Sequence, residues 1–271
     1  MPHRVPFVLS ALLVCNSALA QALPFPRASI GDVAALTGAE PSASQGPDAS
    51  SDHLSLGALV RDLGRNFRDL PSVETASILG VGGGLSAWVR SEDAEMTHRW
   101  SGSPQLDRVF EPGAVMGSAW VQIGGAVGTY VLGRGIDSPR TTMLGADLIR
   151  SQTINAVLTQ GIKLAVRRQR PDGGDFSFPS GHSSAVFTTA TVLERHFGWR
   201  VGVPAYAVAM FVGGSRLQEN RHYPSDVLFG AAIGIVAGRT ATIGHGAATF
   251  SLSPVLGPRT IEFSLTHRTH R

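Results

Sequence analysis

Three segments decide the fold: KLAVRRQRP at residues 163–171, PSGH at residues 179–182 and SRLQENRHYPSD at residues 215–226. Lys163 in the first segment is the only lysine of a chain that otherwise uses arginine for its basic side chains. A lysine supplies a compact ammonium and an arginine a planar fork, so the two are not interchangeable where an anion is bound. The segments combine these cations with two histidines and an aspartate. This combination predicts a phosphate pocket that contains a nucleophile and an acid.

Composition indicates a globular protein. The 271 residues include 43% hydrophobic residues and leave a formal net charge of only +3, and the mean hydropathy of +0.09 argues against a chain made mostly of membrane spans. The chain is long enough to bury a sizeable core as one large domain or two small ones. Arg167, Arg168 and Arg170 form a cluster too short to indicate nucleic-acid binding. We therefore predict a solvated basic face at these arginines and no nucleic-acid partner.

The first twenty residues have the pattern of a secretory signal peptide. Arg4 provides a positive start, Val8–Val14 an apolar core, and Ala18-Leu19-Ala20 a cleavage site before Gln21. Cys15, the only cysteine, lies inside this segment, so the exported chain would contain no disulfide. The sequence predicts an exported, periplasmic protein, with membrane association left open.

The remaining chain divides by composition into three parts. Residues 21–70 read as a linker followed by an amphipathic helix at Leu54–Leu70, which we expect to pack on the main domain; contact with a membrane surface is the alternative. Residues 71–245 form the main domain, and residues 246–271 an extended tail with alternating apolar residues. Within the main domain, six apolar stretches predict helices: Val73–Trp88, Ala114–Leu132, Thr142–Arg167, Ser183–Phe197, Val201–Gly214 and Ser225–Thr240.

The spacing within each segment predicts local geometry. If the helix continues past Lys163, Arg170 lies on the same face two turns later, and both cations reach one anion. Ser180 is placed to cap a helix, and the free N–H groups after it, with Gly181 allowing close approach, favour binding of phosphate oxygens. His222 and Asp226 lie four residues apart across a proline, which fits the first turn of a helix and lets the carboxylate hold one ring nitrogen.

The three segments resemble the motifs of the type 2 phosphatidic acid phosphatase superfamily, which includes lipid phosphatases, bacterial class A acid phosphatases and vanadium-dependent haloperoxidases. The family's motifs are a lysine, six residues and Arg-Pro; Pro-Ser-Gly-His; and Ser-Arg, five residues, a histidine, three residues and an aspartate. Each fixed position is present here. The resemblance implies an all-α helical bundle in which the motifs converge at one end, and a metal-independent phosphatase of phosphomonoesters or diphosphates.

The resemblance also implies a role for each site residue. His222 attacks phosphorus, Asp226 orients it, and His182 protonates the leaving group. Lys163, Arg170, Ser180, Gly181 and Arg216 hold the phosphate oxygens. No group of residues has metal-ligand spacing, so neither a metal nor a cofactor is predicted.

Two alternatives stay open: a vanadate-dependent haloperoxidase, and a non-catalytic module that binds phosphate or a lipid headgroup. The favoured substrates are lipid phosphates, with soluble phosphate esters close behind. The oligomeric state is left open.

Overall fold

The computed structural model describes residues 56–101, 104–243, 249–256 and 261–268. The predicted signal peptide and linker lie outside these residues. Nine α-helices occur in the described part: α1 Leu56–Asp69, α2 Val73–Val89, α3 Asp93–Trp100, α4 Pro104–Met116, α5 Ala119–Gly135, α6 Pro139–Val166, α7 Gly181–Phe197, α8 Trp199–Gln218 and α9 Pro224–Ala241. The predicted all-α bundle is confirmed.

The core is divided among three small clusters of apolar side chains between neighbouring helices. One joins α7 to α8, a second joins α5, α6 and α7, and the third joins α6 and α9 to the amphipathic helix α1. Their buried members are Val186, Ala190, Ala209 and Val212 in the first, Ala126, Leu148 and Val192 in the second, and Ile154, Ala237 and Ala241 in the third. Leu63 and Phe67 of α1 pack against the third cluster, as the apolar stripe of this helix predicts.

Helices α7 and α9 approach each other through glycines. A Cβ atom added at Gly230 would lie 2.6 Å from the carbonyl oxygen of Ser180, and one added at Gly234 would lie 2.3 Å from that of Ser184. Both distances are too short for any side chain. Because α7 begins in the PSGH segment and α9 begins in the third segment, this close packing brings two of the three segments together.

The structure differs from the predicted helices in two places, at residue 118 and over residues 90–113. The helix predicted over Ala114–Leu132 is divided between α4 and α5, because Ser118 leaves the helical conformation and accepts a hydrogen bond from the N–H of Val121 at 3.4 Å. No helix is predicted over residues 90–113, yet a 3-10 turn, α3 and most of α4 lie there. This stretch is too polar, and the spacing of its apolar residues is too irregular, to predict helices.

The tail contains two strands, β1 Thr249–Leu256 and β2 Ile261–Arg268, in the region where alternation predicts extended chain. They pair in antiparallel fashion, with Thr249 opposite Arg268 and Leu256 opposite Ile261.

Within the described residues, no single helix has both the length and the apolar composition needed to cross a membrane; Leu106–Met116 and α5 meet that test only as a pair, bent by 48°.

The glycine contact between α7 and α9 predicts opposite effects for two similar substitutions. Gly234→Ala should lower the free energy of unfolding by about 1–3 kcal/mol, because the new methyl group meets the backbone of α7 and forces the helices apart. Gly128→Ala in α5, where nothing lies within 4 Å of the added atom, should raise it by about 0.5–1 kcal/mol. Denaturant unfolding of the two variants measures both changes. Equal stability of the two variants would contradict the close approach.

Candidate active site

The three motif segments meet around one cavity of about 250 Å³ at one end of the bundle. The cavity is lined by five of the eight predicted site residues, Lys163, Arg170, Gly181, His182 and His222. The other three, Ser180, Arg216 and Asp226, are buried. The predicted convergence of the motifs is therefore confirmed.

Lys163 and Arg170 reach the cavity from different elements. Helix α6 ends at Val166, because Arg167 adopts a left-handed backbone conformation with φ of 49°. The prediction that one helix face carries both cations is therefore wrong. Arg170 returns through a tight turn in which its N–H donates to the carbonyl of Gly174 at 2.6 Å.

Both cations are poorly solvated. Burial, with the nearby Arg170 charge, lowers the pKa of Lys163 to about 8, so its ammonium is still charged at neutral pH. Lys163 Nζ donates to the carbonyl of Phe176 at 2.5 Å. The Nε atom of Arg170 is buried and has no hydrogen-bond partner among the described residues. An unpaired buried donor is costly, and an anion in the cavity would satisfy it.

The PSGH segment forms the beginning of α7. Ser180 caps the helix as predicted: its Oγ accepts from the N–H of Ser183 at 3.4 Å and from the Ser183 hydroxyl at 3.0 Å. A Cβ atom added at Gly181 would lie 3.9 Å from Cε of Lys163, so the first residue of the helix faces the lysine. The partial positive charge of a helix N-terminus therefore adds to that of the cations.

His182 is held in place by the break between α4 and α5. A Cβ atom at Gly117 would lie 3.0 Å from both Cβ and Cδ2 of His182, so a side chain there would displace the ring by a few tenths of an ångström. Burial, the Arg216 charge and His222 lower the pKa of His182 to about 4, against the backbone hydrogen bond to Ala114, which raises it. In the empty site the ring is therefore neutral at neutral pH.

His222 lies two residues before the start of α9, and Asp226 lies in the first turn of this helix, as their spacing predicts. Nδ1 of His222 lies 3.6 Å from Oδ2 of Asp226, slightly beyond hydrogen-bond distance, and has no other polar partner among the described residues. Burial lowers the pKa of His222, and Lys163 lowers it further, while Asp226 raises it. Because its pKa lies below the usual value, the ring is neutral at neutral pH.

The Asp226 carboxylate is fixed on all sides. Its Oδ2 accepts from the N–H of Tyr223 at 2.8 Å and from the hydroxyl of Ser177, and its Oδ1 accepts from Arg168 at 2.8 Å. Burial would raise the pKa of Asp226, but the nearby His222 ring, the hydrogen bonds from Ser177 and Tyr223 and the Arg168 charge hold it below its usual value. Asp226 is therefore ionised whenever the site is folded at neutral pH.

Arg216 is placed differently from the other cations. Its guanidinium donates to Glu219 at 2.5 Å and to the hydroxyl of Ser215 at 3.2 Å. Its carbonyl accepts from the N–H groups of Arg221 and His222 at 3.0 and 3.2 Å. The backbone of Arg216 thus supports the turn that presents His222, while contact between its guanidinium and a phosphate stays a prediction.

Sequence analysis missed the residues that support Asp226. Arg168 donates to Asp226 and also to Asp93 at 2.7 Å and Ser225 at 2.7 Å, and it stacks 4.1 Å from the ring centre of Tyr223. The prediction of a solvated basic face is wrong for this arginine, whose side chain is only 16% exposed. Asp93 lies in α3, and no local sequence motif predicts its contact with Arg168.

Within the described residues, no three His, Cys, Asp or Glu side chains are grouped as metal ligands would be.

The buried ion pairs of Arg168 predict a large effect on stability. Arg168→Met should lower the free energy of unfolding by about 3–5 kcal/mol, because it leaves two buried carboxylates, Asp93 and Asp226, without their cation. The matched variant Arg167→Met, at an exposed position, should change stability by no more than about 0.5 kcal/mol.

A double variant tests whether the effect arises from the pairing itself. Asp93→Asn combined with Arg168→Met should be less destabilised than the sum of the two single variants, as measured by denaturant unfolding. Strict additivity would mean that Arg168 and Asp93 do not stabilise each other.

Comparison with known proteins finds a family model and several curated proteins that are similar to part of this chain. Residues 144–250 match the family model of the PAP2 superfamily. A lipid A 1-phosphatase of Porphyromonas gingivalis is 41% identical over 100 residues, which are 35% of this chain and 22% of the relative. A decaprenylphosphoryl-5-phosphoribose phosphatase of Mycobacterium tuberculosis is 37% identical over 90 residues, 28% of this chain and 48% of the relative. The chain thus spans less than half the length of each of these curated relatives.

A solved structure supports the assignment of the fold. The crystal structure of a transmembrane PAP2 type phosphatidylglycerolphosphate phosphatase from Bacillus subtilis superimposes with a TM-score of 0.54 at 23% identity, covering 63% of this chain and 94% of that one. The matched residues 144–250 contain all three motif segments. Over these residues the chain is similar to the PAP2 superfamily.

Proposed function

We propose that the protein is an exported, metal-independent phosphatase that hydrolyses phosphomonoesters or diphosphates, above all those of lipids, through a phosphohistidine intermediate. The observation that carries this proposal is the presence of two neutral histidines, His222 buried and His182 half-buried, and two cations on one cavity, with a fixed carboxylate beside His222. A site that only binds phosphate needs the cations but has no use for a nucleophile and an acid.

The reaction takes place in two steps. In the first, Nε2 of His222 forms a bond to phosphorus while the bond from phosphorus to the leaving oxygen breaks, and His182 gives this oxygen a proton. In the second, water attacks the phosphohistidine, the nitrogen–phosphorus bond breaks, and His182 takes the proton from the water. Phosphate then leaves, and both rings return to their starting state.

The pKa of His182 gives substrate binding a further role. With a pKa of about 4, His182 holds no extra proton in the empty site at neutral pH. A bound phosphate brings negative charge close to the ring, which favours the protonated form and raises this pKa. The acid is thus prepared by the substrate itself.

Charge that develops on the phosphoryl oxygens is stabilised by groups already in position. Lys163, Arg170 and the first N–H groups of α7 surround the cavity, and they need little rearrangement during the reaction. Such fixed positive groups can fill the electrostatic role that metal ions have in other phosphoryl-transfer sites.

The surroundings of the cavity favour a lipid-linked phosphate. Trp120 and Leu164, on the two helices beside the cavity, are 89% and 59% exposed, and Ile123, which lines it, is 49% exposed. Exposed apolar side chains close to a phosphate site are suited to the apolar part of a lipid or to a membrane surface. The relatives whose names mention lipid A and a decaprenyl lipid support the same substrate class.

Turnover by His222→Ala tests the proposal. The wild-type chain should hydrolyse p-nitrophenyl phosphate, phosphatidic acid and an isoprenyl diphosphate in the presence of a chelator. His222→Ala should lose this activity together with any acid-labile phosphoenzyme, while its circular dichroism spectrum stays that of the wild type. A variant with a near-normal rate would exclude His222 as the nucleophile.

His182 provides the matched comparison. His182→Asn should slow the hydrolysis of phosphatidic acid far more than that of p-nitrophenyl phosphate, because p-nitrophenolate leaves without a proton and a lipid alkoxide does not. Equal losses with both substrates would show that His182 binds phosphate or supports the fold instead.

The lowered pKa of Lys163 predicts the alkaline limit of activity. The ammonium is charged below its pKa of about 8 and neutral above it, so attraction for the phosphate is lost as the pH rises through this value. The kcat/KM should fall up to about tenfold per pH unit above pH 8. In Lys163→Arg the fall should move to higher pH, since a guanidinium stays charged. An unchanged alkaline limit in this variant would assign the titration to another group.

A further inference from the structure

The cavity extends beyond the space that one phosphate needs. From the phosphate end it continues as a groove between α5 and α6, and the amide and hydroxyl side chains of its floor distinguish it from the apolar core nearby. Its floor consists of Gln152, Asn155, Thr159 and Ser184, and its edges of Ala119, Ile123, Ala156 and Gln160.

Helix geometry gives the distance of the floor from the phosphate. Thr159 lies four residues and Asn155 eight residues before Lys163 on α6, which corresponds to about 6 and about 12 Å along the helix axis. Thr159 lies at the phosphate end, because a Cβ atom added at Gly181 would be 3.8 Å from its Cγ2 and 3.9 Å from Cε of Lys163. Asn155, one turn further from the cations, is placed to contact the group to which the phosphate is attached.

Hydrogen bonds hold the floor in place but do not use all of its donors. Gln152 Nε2 donates to the carbonyl of Ala185 at 2.8 Å and to the hydroxyl of Thr189 at 3.0 Å, and the Thr159 hydroxyl donates to Oδ1 of Asn155 at 3.2 Å. The amide nitrogen of Asn155 has only one contact among the described residues, at 3.5 Å with Oε1 of Gln152. Its second proton is available to a ligand.

The groove is also electrically neutral. Its only cations, Lys163 and Arg170, lie at the phosphate end, and no Asp or Glu side chain lines it in the described part of the chain. A second phosphate would find no cation there, and an amine would find no carboxylate. Amides and hydroxyls instead recognise neutral groups that carry oxygen atoms.

We propose that this groove is a subsite for the group that carries the phosphate, and that it selects a neutral hydroxylated group, such as a sugar ring, over an aliphatic chain. The inference rests on the proposed function, since it takes the phosphate to lie between Lys163 and Arg170. The volume of about 250 Å³ is just below the range of about 300–1,000 Å³ of pockets for small molecules. The groove therefore holds the phosphate and its first attached group, and any lipid chain lies outside.

Calorimetric titration with two phosphate esters of similar length tests the subsite. Glucose 1-phosphate and n-hexyl phosphate are titrated into full-length protein with the His222→Ala substitution, so that neither ligand is consumed. Asn155→Leu, added to this protein, should weaken glucose 1-phosphate binding about five- to tenfold. Binding of n-hexyl phosphate should change by less than about twofold, because an alkyl chain makes no hydrogen bond.

Thr153→Val is the matched control on the same helix. The hydroxyl of Thr153 donates to the carbonyl of Ile149 at 2.8 Å and does not line the groove. This variant should bind both ligands as its parent does. Equal weakening of both ligands by Asn155→Leu, or no weakening of either, would overturn the subsite.

Turnover by the otherwise wild-type chain separates this inference from the proposed function. If the chain hydrolyses p-nitrophenyl phosphate but Asn155→Leu does not change the preference for the sugar phosphate, the proposed phosphatase is supported and the subsite is contradicted. If Asn155→Leu changes the binding preference but the chain hydrolyses no ester, the subsite is supported and the phosphatase is contradicted. Failure of both phosphate esters to bind would overturn both.

Discussion

The carboxylate of Asp226 is the point on which the rest of the site depends. It is fully buried and ionised, so the fold must supply enough donors to replace the water that it loses. Arg168 from the loop after α6, Ser177 from the same loop and the N–H of Tyr223 before α9 all donate to it. Its own carbonyl accepts from the N–H of Ser180 at 3.0 Å. One aspartate thus joins the three motif segments, and His222 takes its position from that junction.

Positive charge at this site is held at some energetic cost. Burial opposes the charged form of Lys163, and the nearby Arg170 charge lowers the pKa of this lysine further. The neighbouring histidines respond to the same field and stay neutral when the cavity is empty. An arriving phosphate relieves the repulsion between the cations and, in the proposed reaction, supplies the negative charge that protonates His182. In that reaction, the negative charge of the phosphate both strengthens its binding to the cations and favours protonation of His182.

Sequence was sufficient wherever the determining interaction is local. The Ser180 cap, the first turn of α9 and the stripe of α1 depend on residues within a few positions of one another, and the chain specifies them directly. Sequence failed where the interaction joins distant segments. In the sequence Arg168 resembles a surface arginine, because its partner Asp93 lies 75 positions earlier in the chain. The end of α6 at Arg167 was not predicted for a different reason. The loop that follows sets the left-handed conformation of this residue, and an arginine gives no local signal of such a conformation.

The glycine contacts between α7 and α9 limit how these two helices can move. With backbone against backbone at Gly230 and Gly234, there is no side chain between the helices whose rotation could let them slide. The two helix ends that carry His182 and His222 must therefore travel as a single rigid unit. Any widening of the cavity then falls to the opposite wall, which α5 lines with Ala119 and Ile123.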